Sequence, residues 1–331
     1  MTSLMTVSKA NTLIEEGHTL LFAGDEMLLR QLKTGNWIGG TIPYFMESGA
    51  GRYDDSRLFG VQLPDSISLQ SMRFYSSEEI PNVNIDGAKN GVSFIIIPCK
   101  SRAHLTFAEG APKYREALML PLIGWISGVE LSNIGTESPK VFLGKSGTAS
   151  TEDAVVMHCK TSLEKMVRID IINVFRPDPN GDIIQFTEKG FTVKTAFING
   201  KEQLFFEYLT TKKIDTQLPL ITDQYGALIN VSIQRVDDEN GVVELYAPVF
   251  PGQSYRMALP VKDYAATLKE NTPKEIESPI FSCNCILNYL YANLEGKEVG
   301  SGLFGPFTFG EIAYQLLNQT LVYATLEQRN K

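Results

Sequence analysis

Two thiols stand two residues apart in Cys283-Asn284-Cys285, where an apolar stretch from Ile280 to Cys283 runs into helical spacing at Leu287, Leu290, Tyr291 and Leu294. Amides at a helix start are unpaired and positive, and they lower the pKa of a neighbouring thiol. Cys283 or Cys285 could then act as a nucleophile or redox centre if a histidine base reaches it in space. The competing reading makes both small buried hydrophobes, since free cysteine is among the most buried residue types. Arg256 sits in the apolar run Tyr255-Arg256-Met257-Ala258-Leu259, and its planar fork suits a carboxylate. An internal salt bridge or an exposed strand position would use it equally well. Glu311 follows Gly310 in an aromatic, glycine-bracketed segment, and Asn318 precedes the last apolar run. These are either ligand contacts or internal hydrogen bonds that fix turns. Convergence of Cys283, Asn284 and Glu311 on one pocket, with Arg256 and Asn318 near it, would suit a ligand carrying both an amine and a carboxylate.

Other motifs do not hold up. The three histidines, His18, His104 and His158, are scattered, and His158-Cys159 points to opposite faces of a strand, so no metal is expected. A haem would have to take His158, His104 or Cys283 as its axial ligand. Gly300-Ser301-Gly302-Leu303-Phe304-Gly305 spells a dinucleotide fingerprint, but a helical pattern precedes it where a strand is required, and Pro306 follows. Gly144-Lys145-Ser146 lacks the first glycine of a P-loop, because Pro139 occupies that position. No nucleotide is expected at either place.

These residues sit in a chain of 331, with 30 Lys and Arg against 38 Asp and Glu and a net charge of −8. At roughly 150 residues per domain, that length predicts two domains, with one large domain as the alternative. The acidic balance, with no basic run, argues against nucleic-acid binding. The longest apolar stretch, around Val92–Pro98, falls far short of the ~20 residues a membrane helix needs. The N-terminus carries Glu15, Glu16 and Asp25 and does not read as a secretory signal. Four cysteines are too few for a disulfide framework, which points to a reduced, cytoplasmic chain.

The elements that would position the candidates are mostly strands. Val92–Pro98 reads as a fully buried strand, and Leu120–Ile126, Ala154–His158 and Arg168–Phe175 follow it. Asp25 is a plausible N-cap for a short helix through Leu28, Leu29 and Leu32. Trp37–Met46 is a strand or a packed loop. Pro177-Asp178-Pro179-Asn180-Gly181 is the densest cluster of breakers and marks the expected boundary between residues 1–176 and 177–331. Beyond it the pattern predicts strands at Asp182–Thr187, Phe191–Ile198, Ala227–Val236, Val242–Ala247, Ile280–Cys283 and Gln319–Leu326. Helices are expected at Glu202–Leu209, at Asp263–Lys269, and from Asn284 to a stop at Gly296. Strands outnumber helices and hairpin signals are common. The expected class is α+β: two strand-rich halves with mixed and antiparallel sheets and helices packed outside.

The C-terminal segments Phe281-Ser282-Cys283-Asn284-Cys285, Gly305-Pro306-Phe307-Thr308-Phe309-Gly310-Glu311-Ile312-Ala313 and Asn318-Gln319-Thr320-Leu321 resemble the end of the FIST domain. Ile198-Asn199-Gly200 with Phe205-Phe206-Glu207-Tyr208-Leu209 is similar to the start of that domain's C-terminal half, and Leu122–Val129 is a looser echo. Asn284 and Cys285 depart from the Gly-Arg that usually follows the FIST cysteine. The resemblance implies a diverged, stand-alone member of a bacterial sensory family that binds small molecules, amino acids among them, with haem in some relatives. It further implies a non-catalytic sensor acting through a separate signalling protein. The ligand contacts would be Arg256, Cys283, Asn284, Glu311 and Asn318, with a cysteine-dependent enzyme using Cys283 or Cys285 as the alternative.

Overall fold

The computed structural model describes residues 2–47, 50–224, 226–274, 276, 279–297 and 303–329. Strand outweighs helix, 45% to 16%, and the sheets are mixed and antiparallel, so the class is α+β. Among the described residues the strands form four six-stranded sheets and one of three strands.

The central sheet contains Gly91–Pro98 and Leu122–Ser127 as a parallel pair, flanked by Ala154–Thr161 and Ile67–Tyr75 on one side and by Glu311–Ala313 and Gln315–Leu317 on the other. Every residue of Gly91–Pro98 is buried, as a strand covered on both faces must be. Phe94, Ile96 and Trp125 point into one core, and Ile95, Ile97 and Ile126 into a second. The first core lies under two further sheets. One is built from residues 2–41, 58–62 and 141–150. The other joins Lys165–Ile172, Leu321–Gln328, Pro279–Cys285, Gly305–Thr308, Tyr44–Glu47 and Ala50–Tyr53. Trp125 stacks on Phe281 of that last sheet at 5.4 Å. The second core is closed by the helix Arg102–Gly110 and by the two sheets of residues 184–257.

Three times among the described residues the chain leaves a strand, turns a helix and returns to a parallel neighbour. The units are Leu20–Gly24 to Trp37–Thr41, Gly91–Pro98 to Leu122–Ser127, and Pro279–Cys285 to Gly305–Thr308. Asp25 and Ser101 cap the first two helices through their side chains. The third helix, Ile286–Tyr291, has Cys285 at its cap position and no side-chain cap there. Asn284 substitutes, its Oδ1 accepting the Cys285 N–H at 2.8 Å.

Several element boundaries differ from the sequence reading, each for a physical reason. Lys201–Leu204 is a strand and only Phe205–Thr211 is helical, because Lys201–Leu204 forms a hairpin with Thr195–Ile198 across Asn199-Gly200. The last helix stops at Tyr291, well before Gly296, with Asn293 in the left-handed region at φ 50°. Ala227–Val236 divides into Ala227–Val231 and Ile233–Asp237, which belong to different sheets. The breaker cluster bridges back through Pro177 to Ala258, with Asp178 N donating to Met257 O. Strands on both sides of residues 176/177 share sheets: Glu311–Ala313 pairs with Leu122–Ser127, and Leu321–Gln328 with Lys165–Ile172. The Gly300–Gly302 part of the glycine loop lies outside the described residues. Gly144-Lys145-Ser146 is the turn between Val141–Leu143 and Thr148–Ser150.

Candidate functional site

Side chains alternate along Pro279–Cys285. Cys283 and Cys285 face the central sheet, with Cys283 Sγ against Gly124 O at 3.5 Å. Glu311, cross-strand from Trp125, comes up between them. It is fully buried, and its Oε2 accepts from Thr320 N at 3.1 Å and Thr320 Oγ1 at 2.8 Å, while Oε1 has no partner. Burial pushes this carboxyl up to about 8 against the two Thr320 bonds, so the group is mostly neutral at pH 7. Burial, reinforced by Glu311, also pushes both thiols well above their usual value. A thiol held in this way is not a thiolate near neutral pH, whatever the strand-to-helix junction suggests from sequence.

Asn284 faces the other way. Its Oδ1 accepts from the Cys285 amide, from Asn288 Nδ2 at 2.9 Å and from Tyr264 Oη at 3.4 Å. Cys283, Asn284 and Glu311 are therefore neighbours, but in a sealed interior and on two sides of one strand. Asn318 is buried nearby, its Nδ2 on Leu317 O and its Oδ1 unpartnered. Arg256 is elsewhere. Its guanidinium donates to Gly181 O and Pro179 O, so it staples the breaker cluster to the Ser254–Met257 strand.

Directly over Asn284 lies a cleft of about 700 Å³. Its floor is Tyr264, Asn288 and Gln319, its apolar wall includes Phe175 and Leu218, and its rim carries Asp215, Lys262, Asp263 and Lys297. Three elements meet there. Asp263 caps the helix Tyr264–Asn271 by accepting from Ala266 N at 3.0 Å, which brings Tyr264 inward. The helix Ile286–Tyr291 supplies Asn288. Gln319 stands in a left-handed turn at φ 49°, and its side chain bonds Ser232 Oγ at 2.7 Å and Gln217 O at 3.1 Å, tying the floor to residues 217–232. Asn288 is 2% exposed and uses its Nδ2 inward on Asn284, while its Oδ1, on the amide's other edge, has no partner. Sequence reading missed Tyr264, Asn288 and Gln319. The Asp263 cap signal marks where Tyr264 enters, but nothing local in the sequence brings residues 217, 264, 288 and 319 together.

The histidines are separate. His158 accepts or donates at both ring nitrogens, to Ser93 Oγ and Tyr75 Oη, each at 2.7 Å, and Tyr75 Oη donates to Asp86. Burial lowers its pKa to about 4. Tyr75 gives its proton to Asp86, so it accepts from His158 Nε2–H, and Nδ1 accepts from Ser93. That ring has no nitrogen left for a haem iron. Among the described residues no three His, Cys, Asp or Glu side chains gather as a metal site, and no described helix is long and apolar enough to cross a membrane.

Fold and site define a mixed α+β protein with a charged-rim cleft above a sealed amide and carboxyl interior. The chain belongs to the DUF6976 family, a family of unknown function, whose model matches residues 5–327. That match, with no FIST match beside it, corrects the FIST resemblance. The segments that carried the likeness are interior packing. A Cβ on Gly305 would lie 1.8 Å from Ser282 O, and Glu311 closes the turn at Thr320. Local needs of this kind recur wherever strands pack so closely. Comparison with curated proteins finds no match.

Proposed function

We propose that the protein binds a small polar molecule in the cleft over Asn284, without transforming it. The observation that carries this reading is Asn288 Oδ1, a buried carbonyl without a hydrogen-bond donor beneath a cleft of about 700 Å³. An unsatisfied buried acceptor costs about 1–3 kcal/mol, and a donor group on a ligand would recover it. The rim carries two aspartates and two lysines, so a molecule with both an amine and a carboxylate finds a partner for each, while Phe175 and Leu218 accept an apolar portion. The neighbouring thiols and Glu311 are sealed and uncharged at neutral pH, which favours binding over chemistry. The signalling role stood on the FIST resemblance alone and forms no part of the proposal.

Native mass spectrometry of freshly purified protein tests the reading, followed by thermal-shift titration with free amino acids and other small zwitterions. We expect a retained or stabilising ligand whose effect disappears in Asn288→Leu. A protein with no adduct, and with no stabilisation by any member of the panel, overturns it.

A further inference from the structure

A second cavity, of about 280 Å³, opens where the strand Gly91–Pro98 ends and the helix Arg102–Gly110 begins, against the three-stranded sheet. It shares no lining residue with the cleft. Phe191, Tyr246 and Phe309 give it aromatic walls, and His104 and Cys99 stand on the helix side. Lys100 is exposed beside it, and Glu244 is already paired with Arg235 at 2.6 Å.

His104 can be assigned by counting protons. The Lys100 amide donates to its Nδ1 at 3.0 Å, so Nδ1 carries no hydrogen. Burial holds the ring near pKa 4, hence neutral at pH 7, and the single ring proton sits on Nε2. That N–H has no acceptor in the protein, although His104 is only 4% exposed. Its own backbone N–H is satisfied by Ser101 Oγ at 3.1 Å, and the ring lies edge-on to Phe191 at 5.9 Å. A histidine with a buried, unpartnered donor and three aromatic rings therefore line one small space. The donor needs an oxygen, and the rings need a flat apolar body.

We infer that this cavity is a second binding site, for a small monocyclic aromatic carrying a carbonyl or carboxylate oxygen. The ring lies among Phe191, Tyr246 and Phe309, and the oxygen accepts the His104 Nε2–H. Lys100 adds attraction when the oxygen belongs to a carboxylate. Cys99, half-buried at the edge, reports occupancy through its accessibility.

The test uses benzoate as the probe and benzylamine, which offers donors only, as the control. Protein labelled with ¹⁵N in histidine is titrated at pH 7, following the His104 Nε2–H resonance. Benzoate should move it saturably and slow alkylation of Cys99 by iodoacetamide, and benzylamine should do neither. His104→Phe should weaken benzoate binding roughly tenfold, the loss of one well-made hydrogen bond. Lys100→Met, at an exposed position that leaves folding intact, should weaken it roughly threefold. No saturable movement of the His104 signal, an equal response to benzylamine, or unchanged affinity in a folded His104→Phe would each overturn the assignment.

Discussion

Glu311 shows what a single buried carboxyl does to the whole protein. Its pKa is near 8 in the fold and returns to the ordinary carboxylate range when the chain unfolds. Between those values the folded state holds a proton that the unfolded state has released, so stability is full below the lower value and falls as pH rises through the upper one. His104 and His158, lowered to about 4, act the opposite way and only at acid pH, below the ordinary histidine range. From pH 6.5 to 8, then, Glu311 dominates: the wild-type melting temperature should drop by several degrees, and Glu311→Gln should remove that slope. A wild-type profile as steep as that of the variant would rule out the neutral carboxyl. The thiols give a second residue-scale prediction. Cys99 is half-buried and the other three are buried, so a thiol reagent should label Cys99 slowly in native protein and Cys159, Cys283 and Cys285 only after denaturation. Mapping by mass spectrometry checks the order, and prompt labelling of Cys283 or Cys285 would restore the nucleophile reading. The residue types at 283, 284 and 311 were legible in the sequence as chemistry. Burial of the two thiols stood there as the competing reading and is what the structure has, but what covers them was not legible, because it comes from strands more than a hundred residues away, as in the contact of Cys283 with Gly124 O.

At the scale of elements, apolar continuity and caps carried most of the information. Val92–Pro98 and Ala154–His158 read correctly because strands covered on both faces must be apolar throughout. Asp25 read correctly as a cap because a carboxylate that bonds free amides is a local device. The helix after Cys285 was overextended because its stop is Asn293 in a left-handed turn, and asparagine there signals less strongly than the glycine at 296. Close packing of the parallel pair yields a sharp test. A Cβ at Gly124 would meet Ile95 O at 1.7 Å, and that oxygen belongs to the neighbouring strand of the central sheet. Backbone cannot give way as a side-chain tip can, so Gly124→Ala should cost about 3 kcal/mol or more. Gly17→Ala meets no atom within 4 Å, yet it sits at φ 82°, and should cost only about 1 kcal/mol. Chemical denaturation of the two variants separates steric clash from backbone strain, and equal losses would refute the packing argument.

At the scale of the whole molecule, the order of the chain and the order of the sheets diverge. Past the breaker cluster at 177–181, residues 184–257 build their own pair of sheets. After Pro279 the chain comes back. Leu321–Gln328 lies between Lys165–Ile172 and Pro279–Cys285, and Glu311–Ala313 lengthens the central sheet beyond Leu122–Ser127. Long-range pairing of this kind leaves no periodic signature, which is why a linear division was all the sequence offered. The energetic consequence is that the N-terminal sheets are incomplete without the last fifty residues. Phe281 covers Trp125 and Phe94, and Glu311 fills the space beneath the thiols. A chain ending at Thr272 would expose that apolar face and leave the Lys165–Ile172 and Leu122–Ser127 edges unpaired. Such a truncation should fail to fold cooperatively, losing native dispersion in amide spectra across residues 91–172 and not merely near the cut. If the shortened chain kept a sharp melting transition with intact signals for Phe94 and Trp125, the returning segment would be an appendage, and the cleft floored by Asn288 and Gln319 would rest on a body able to stand without it.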